Sequence, residues 1–318
     1  MTDGAKGVAA IICACTIWGL SPLYYAQLTH IPPLDILSYR CLWSVAFFSL
    51  ILLLQGRLRL VAQALTTPRM LVVILVASLM ISANWFGFIY AISVGRAIES
   101  SLGYYIFPLV AVVLGWLVFG EALLRAQWLA VALAAIAVVT LTLGLGVAPW
   151  IALGLALTFG AYGIAKKRLD LGPVVSVTAE VAVLAPLAFA WLAMRGTALP
   201  GDVSSHLLLA LSGPLTAIPL VMFSYAARRV RLSTMGVVQF LNPTLQFACA
   251  VFVFGEAFTR WHAIAFPLIW LAVTIVLWSV TKTSRECVES ENAAVSAAAP
   301  QPLQASENEA ESTQPPAS

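Results

Sequence analysis

The chain contains one stretch of sequence twice. Residues 84–121 and residues 219–256 align without a gap at an offset of 135 residues. Both copies place a proline at the same point, Pro108 and Pro243, and both end in Phe-Gly-Glu. Further matched positions include Tyr90 with Tyr225, Arg96 with Arg231, and Glu121 with Glu256. A repeat of this length predicts a chain built from two related halves.

The composition predicts that both halves lie in a membrane. Hydrophobic residues make up 61% of the 318 residues and charged residues only 10%, and the mean hydropathy is +0.94. Apolar runs of about twenty residues, the length that crosses a bilayer as a helix, recur along the chain. The breaks between these runs predict ten spans near residues 7–27, 35–54, 70–93, 98–118, 125–144, 148–166, 174–194, 206–227, 233–254 and 261–280. The predicted fold class is therefore an all-α membrane protein with ten transmembrane helices.

The basic residues predict how the spans are oriented. With the N-terminus in the cytoplasm, 13 of the 17 Lys and Arg residues fall in cytoplasmic segments, while Arg96, Arg195 and Arg260 fall outside and Arg40 lies within a span. This bias predicts that both termini are cytoplasmic. Five helices per half is an odd number, so the second half would be inverted relative to the first. Inverted repeats are typical of transporters that alternate access to a site near the membrane midplane.

These patterns divide the chain into three segments. Residues 5–145 form the first repeat with helices 1 to 5, and residues 148–282 form the second with helices 6 to 10. Residues 283–318 form an acidic tail on the cytoplasmic side. From position 286 onwards the tail carries six Glu residues and no Lys or Arg. Because the tail has too little apolar surface to bury, we expect it to be disordered.

Other classes of function find no support in the sequence. The five cysteines are scattered, without the spacing of a zinc site or a disulfide framework. The sequence has no Gly-rich Lys-Ser/Thr nucleotide loop, no His-Glu-x-x-His pair and no Gly-x-Ser-x-Gly elbow. The basic residues lie in short loops rather than on one face, which is unlike a nucleic-acid surface. We therefore expect no enzyme activity, cofactor, metal or nucleic-acid partner.

Several local sequences, taken together, resemble the EamA-type drug/metabolite transporters, and within them the RarD group. The residues that carry the resemblance are Ile17-Trp-Gly-Leu-Ser-Pro22, Tyr39-Arg40, Trp43-Ser44, Ala83-Asn-Trp85, Glu99-Ser-Ser-Leu-Gly-Tyr-Tyr105 with Pro108, Leu157-Thr-Phe-Gly160, Tyr162-Gly163, Lys166-Lys167, Ala226-Ala-Arg-Arg229, Leu232-Ser-Thr234 and Asn242-Pro-Thr-Leu-Gln-Phe247. The resemblance extends over about residues 5–282 and departs at Phe107, where an Asn like Asn242 would be expected. It implies ten helices in two EamA domains and a permease of the bacterial cytoplasmic (inner) membrane. RarD proteins are linked by name to chloramphenicol sensitivity.

Charged residues in or beside the spans are candidates for gating or coupling. Arg40 and Glu180 lie inside predicted spans, where a charge is costly and is often functional. Their predicted depths differ, so we do not expect them to pair with each other. Glu99 matches the depth of Arg40, and the cations that match Glu180 are Lys166, Lys167 and Arg229. One interpretation is two ion pairs, one near each membrane face, that form alternately; the other is static pairing that fixes helix register.

Polar and aromatic residues of the spans are candidates to line a substrate cavity. They are Trp18, Asn84, Tyr104, Tyr105, Tyr162, Gln239, Asn242 and Gln246. The last three follow the spacing i, i+3 and i+7, which predicts one polar face on the ninth span. The alternative interpretation is ordinary helix packing. The Phe-Gly-Glu copies are interpreted as the ends of helices, because Gly suits a helix C-terminus.

The predicted function is a secondary transporter, an exporter or exchanger of small organic solutes such as amino acids, metabolites or drugs. A lining of aromatic and amide groups with few charges suits neutral or zwitterionic amphipathic molecules. The expected partners are the small-molecule substrate and the lipid bilayer, with the protein acting as a monomer or a weak homo-oligomer. The alternative is a membrane sensor or assembly factor without transport activity.

Overall fold

All regular structure in the described part of this computed structural model is helical. The structure describes residues 3–120, 122–146, 148–195, 203–227, 229–230 and 232–298. The helices are α1 (Asp3–Ala26), α2 (Pro33–Leu54), α3 (Leu58–Thr66), α4 (Pro68–Ser93), α5 (Ala97–Phe119), α6 (Arg125–Leu145), α7 (Trp150–Lys167), α8 (Pro173–Arg195), α9 (Val203–Ala227), α10 (Leu232–Gln239), α11 (Leu241–Ala248) and α12 (Arg260–Ala298). A π-helical segment (Cys249–Val253) follows α11 directly.

Eight of the described helices are long and apolar enough to cross a membrane, namely α1, α2, α4, α5, α6, α8, α9 and α12. The chain is therefore a multi-pass membrane protein of the all-α class, as predicted. The predicted sixth span coincides with α7, which carries three glycines and ends in Lys166 and Lys167 and is therefore less apolar. The count of ten spans and their inversion stay predictions.

The predicted ninth span, residues 233–254, is not one continuous α-helix. α10 ends at Gln239, and a turn at Phe240 separates it from α11. Pro243 has no N–H to donate to the Gln239 carbonyl, so the hydrogen bond that would join the two helices is absent. Pro108, the copy of this proline in the first repeat, lies inside the uninterrupted α5. The same residue therefore accompanies a break in one copy and a continuous helix in the other.

The sequence analysis missed α3. This helix has nine residues, too few to cross a membrane, and its buried residues, Val61 and Ala64, lie three positions apart. They pack in a small apolar cluster with Leu52, Ile74, Leu169, Val175 and Ala179. α3 is therefore an amphipathic helix that packs on the bundle between two longer helices. Its signal is short and lies among basic residues, so a search for apolar runs passes over it.

The described residues after Ser279, 280–298, belong to a second unit of the chain. Within this unit the described residues continue α12 to Ala298, so residues 283–298 are helical rather than disordered as we expected. The stretch is rich in Ala and Glu, which favour helices. Residues 299–318 of the predicted tail lie outside the described residues.

Small residues let helices of the two repeats approach closely in the bundle. α5 packs along α7, and α1 packs along α11. A Cβ added at Gly19 in α1 would lie 2.7 Å from Leu245 Cβ in α11. One added at Gly103 in α5 would lie 2.8 Å from the Ala152 carbonyl oxygen in α7. No side chain fits at these distances, so glycine is required for the two repeats to pack as they do.

Candidate functional site

A buried polar cluster surrounds Glu180, between α7 and α8. Glu180 is 0% exposed. Its Oε1 accepts hydrogen bonds from Lys166 Nζ at 2.6 Å and from Ser176 Oγ at 2.8 Å, and its Oε2 accepts one from Tyr162 OH at 3.0 Å. Lys166 Nζ also donates to Ser176 Oγ. Both carboxylate oxygens are therefore satisfied. Ser176, which the sequence analysis missed, lies four residues before Glu180 on the same helix face.

Of the three cations predicted to match Glu180, the structure pairs Lys166 with it. Lys167 and Arg229 instead lie over aromatic rings, with their charged groups 4.9 and 3.7 Å from the ring centres. Successive residues on a helix point about 100° apart, so only one of two adjacent lysines can face α8. The predicted Lys166–Glu180 pair is therefore present, whereas its role in gating stays a prediction.

Arg40, in α2, is buried among aromatic and hydroxyl groups. Its Nη1 donates to Tyr25 OH at 2.7 Å and its Nε donates to Thr216 Oγ1 at 3.1 Å. The guanidinium carbon lies 4.1 Å from the centre of the Trp85 ring, a cation–π distance. Within the described residues, no carboxylate lies within ion-pair distance of Arg40. The partners of this buried cation are therefore all neutral.

The predicted pair between Arg40 and Glu99 is not formed in this structure. Glu99 pairs with Arg96, three residues before it at the start of α5. Residues three apart on a helical turn are neighbours, so Arg96 reaches this carboxylate without crossing the bundle. The two charged groups that we matched by depth thus have separate environments.

Asp35 and Arg195 form an ion pair between α2 and α8 that the sequence analysis missed. Arg195 Nη1 lies 3.1 Å from each carboxylate oxygen of Asp35, and Trp191 Nε1 donates to Asp35 Oδ1 at 2.8 Å. Both charged residues fall at the predicted ends of spans, where a charge costs little, so depth alone did not single them out. The pair ties the first repeat to the second.

Asn84 joins three helices through both ends of its amide. Its Nδ2 donates to the Leu155 carbonyl at 2.9 Å and to Thr158 Oγ1 at 3.2 Å, both in α7. Its Oδ1 accepts from Tyr104 OH, in α5, at 3.1 Å. Asn84 is buried and its hydrogen-bonding groups are engaged within the protein. This geometry matches the helix-packing interpretation of Asn84 and Tyr104.

The predicted polar face of the ninth span is divided by the break at Phe240. Gln246 Nε2 donates to Asn242 Oδ1 at 2.9 Å along α11, while Gln239 lies in α10. Gln246 is buried, and Ser100 Oγ in α5 lies 3.5 Å from its Oε1. Three residues at helical spacing share a face only while the helix continues. The single polar face that includes Gln239 therefore stays a prediction.

Of the aromatic candidates, Tyr105 and Tyr162 also have partners within the bundle. Tyr105 OH lies 2.7 Å from Thr244 Oγ1 in α11, and Tyr162 donates to Glu180. Trp18 is half-buried, and its ring centre lies 6.1 Å from that of Phe223 in α9. Trp18 is thus the predicted aromatic residue with the least specific contact. Its role in a cavity stays a prediction.

Glu256, from the second Phe-Gly-Glu copy, contacts the other repeat. Gly255 adopts a φ of 67°, as expected at the end of a helical segment. The Glu256 carboxylate accepts hydrogen bonds from the backbone N–H of Ala97 at 2.5 Å and of Ile98 at 2.8 Å, which caps the start of α5. Burial raises the pKa of Glu256, and these two N–H groups partly oppose the rise. The first copy of this residue, Glu121, lies outside the described residues.

Within the described residues, no group of three or more His, Cys, Asp or Glu side chains is placed to hold a metal ion. Several polar groups of the bundle form ion pairs or hydrogen bonds between helices. Such an arrangement can bind a solute or couple helix movements.

Comparison with known proteins assigns the family. A model of the EamA-like transporter family matches residues 5–143 and 147–278, which are two copies of the domain. Protein RarD of Streptomyces exfoliatus is 41% identical over 274 residues, covering 85% of this chain and 87% of that protein. An uncharacterized transporter of Vibrio cholerae is 38% identical over 278 residues, covering 86% and 92%. One solved crystal structure shares the fold, with a TM-score of 0.58 and 18% identity over 88% of this chain and 99% of that one. The chain therefore belongs to the EamA-like transporter family of membrane proteins, in the group that contains RarD.

Proposed function

We propose that the protein is a secondary transporter of small organic solutes that works by alternating access between two inverted five-helix repeats. The solutes are amphipathic molecules such as amino acids, metabolites or drugs. The protein lies in the bacterial cytoplasmic membrane with both termini in the cytoplasm, and acts as a monomer or a weak homo-oligomer. The family membership and the eight apolar helices support the coarser part of this proposal, a membrane transporter.

The observation that carries the alternating-access part is a contact between the two sequence copies on one side only. α5, in the first copy, packs against α11 and the π-helical segment, in the second. Tyr105 and Thr244 are hydrogen-bonded at this contact, and Glu256 caps the start of α5 beside it. Among the described residues, α5 has at most a marginal contact with α10, the other half of the second copy.

A one-sided contact is what two inverted repeats would make in one access state. In an occluded state, the two repeated helices would meet in the same way near both faces. With contact at one face only, the path between them opens towards the other face. α10 begins at the predicted cytoplasmic side, so this arrangement supports a state that is closed outside and open inside.

Counterflow in vesicles tests the transport activity. The purified full-length protein is reconstituted into liposomes preloaded with an excess of one unlabelled amino acid, aromatic metabolite or phenicol. A transporter accelerates uptake of the same labelled solute relative to protein-free vesicles. If folded protein exchanges none of the panel, the sensor or assembly factor becomes the better interpretation.

A further inference from the structure

We infer that Arg40 is the binding site for the carboxylate of an amphipathic solute, such as an aromatic carboxylic or amino acid. The inference rests on the proposed transport function, which it makes more specific. The features that carry it are the missing counter-charge of Arg40, its unused hydrogen-bond donors, and the rings around it.

Arg40 is a buried cation without an anion. It is 8% exposed, and its hydrogen-bond partners, Tyr25 and Thr216, are neutral. By contrast, three other basic residues lie beside a carboxylate: Arg96 pairs with Glu99, Lys166 with Glu180, and Arg195 with Asp35. A buried charge without a counter-charge is costly, and such residues in membrane proteins mark solute or ion pathways.

Some N–H groups of the Arg40 guanidinium make no hydrogen bond within the described part of the chain. It carries five N–H groups in a planar fork, and two of them are used by Tyr25 and Thr216. Nη2 makes no hydrogen bond within the described part of the chain. Within the described residues, the fully enclosed polar side-chain atoms without a partner are Ser44 Oγ and Glu99 Oε2, and Nη2 is not among them. Three N–H groups remain, one on Nη1 and two on Nη2, and a carboxylate can accept two parallel hydrogen bonds from N–H groups on two such nitrogens.

Ser44 gives a second sign of an incomplete polar site. It is fully buried, and its hydroxyl has no partner in the described structure. Ser44 lies four residues after Arg40 in α2, so the two side chains share one helix face. Buried polar groups are normally hydrogen-bonded, and an unpaired one calls for a partner that the protein itself does not supply.

The rings beside Arg40 indicate what the rest of the solute is. Trp85 lies against the guanidinium. Nearby, the ring centre of Phe88 lies 5.5 Å from that of Tyr25 and 6.1 Å from that of Tyr104. An apolar or aromatic body would pack against such a run of rings. A single cation matches a single carboxylate, whereas a phosphate dianion would need further Lys or Arg side chains.

Matched pairs of ligands test the assignment. The thermal midpoint of the purified full-length protein is measured with benzoate against benzamide, and with L-phenylalanine against its amide. Carboxylates that bind the folded protein should raise the midpoint, and the amides should not. Arg40→Gln should weaken carboxylate binding by roughly ten- to a hundredfold, the loss of charged hydrogen bonds. Arg40→Lys should lose less, and the exposed Arg59→Gln, in α3, should bind like the wild type.

The outcomes separate this inference from the proposed function. If carboxylates and amides stabilise the wild type equally, or if Arg40→Gln keeps full carboxylate affinity, the Arg40 assignment is overturned while solute exchange in vesicles still supports transport. If the wild type exchanges no solute at all, the proposed function falls as well. The comparison of acid with amide on the wild type decides the matter even if neither Arg40 variant folds.

Discussion

The Arg40 guanidinium and the Glu180 carboxylate occupy equivalent positions in the two repeats, and each is bonded to the equivalent residue of the preceding helix. Arg40 donates to Tyr25 at 2.7 Å, and Glu180 accepts from Lys166 at 2.6 Å. Arg40 and Glu180 are 140 residues apart, and Tyr25 and Lys166 are 141 apart. The two repeats thus place a polar contact at the same point, but it is an ion pair only in the second.

This difference predicts that removing the Glu180 charge strongly lowers the stability of the protein, and that also removing the Lys166 charge restores much of it. Glu180→Gln leaves the Lys166 ammonium without its counter-charge in a largely buried place. Breaking such a pair should lower the free energy of unfolding by about 3 kcal/mol, the lower end of the usual range, because Lys166 keeps some exposure. Denaturant unfolding in detergent measures the loss.

The double variant Glu180→Gln with Lys166→Met is the control for this prediction. It removes both charges, so it should recover at least half of the lost stability. A double variant no more stable than Glu180→Gln would mean that the hydrogen bonds of Tyr162 and Ser176, rather than the charge, hold the cluster together.

Two glycine-to-alanine variants should change stability in opposite directions. At Gly103 the new methyl group would lie 2.8 Å from the Ala152 carbonyl oxygen, so α5 and α7 must separate, at a cost of about 1–3 kcal/mol. At Gly154, in α7, a methyl group meets nothing within 4 Å, and the gain in helix propensity is about 0.5–1 kcal/mol. Thermal unfolding compares them. Equal effects would contradict the close approach at Gly103.

Fixing α5 to α11 should stop transport. In a variant without the native cysteines, Ser100→Cys and Gln246→Cys place one thiol on each helix at the contact where the Ser100 and Gln246 side chains now meet. A short linker that attaches to both thiols through disulfides should block solute exchange in vesicles, and a reductant should restore it, because alternating access requires this contact to open. The single-cysteine variants serve as controls. Full exchange by the cross-linked protein would exclude opening at this contact.

Glu256 should make stability depend on pH in a definite direction. Burial raises its pKa above the ordinary 4.5, so the folded protein holds this proton more tightly than the unfolded chain. The associated stability is fully present below pH 4.5 and is lost as the pH rises through the raised pKa. The stability difference between wild type and Glu256→Gln, measured from pH 4 to about 7, should therefore move in favour of the variant as pH rises. A difference that moved the other way would mean that the N–H groups of α5 outweigh burial.

The positions of the membrane helices could be predicted from the sequence because hydropathy alone sets them. The same approach missed α3, whose apolar residues span nine positions, and the turn at Phe240, which no apolar run reveals. Pro243 was visible in the sequence, but so was Pro108, and only one of the two accompanies a break. Whether a proline interrupts a helix depends on the helices that pack around it, and a single span does not contain that information.

Depth arguments located Lys166 beside Glu180 and failed for Arg40. In the first case the partner lies at the end of the adjacent helix, so depth nearly decides the contact. In the second, Glu99 had a nearer cation in Arg96, and Arg40 was surrounded by neutral groups from other helices. The equivalence of Tyr25 and Lys166 was not visible in the sequence, because their offset of 141 residues differs from the 140 between Arg40 and Glu180 and from the 135 of the repeated stretch.

Pro108 and Pro243 each leave one backbone carbonyl oxygen in the middle of the bundle without its usual hydrogen-bond donor. Each removes the amide hydrogen that would normally bond to the carbonyl four residues earlier, at Tyr104 in α5 and at Gln239 in α10. These two main-chain oxygens therefore lack their usual donors whatever side chain stands at either position. Alanine substitutions at Tyr104 or Gln239 would leave both acceptors in place, whereas replacing Pro108 or Pro243 would supply the missing hydrogen.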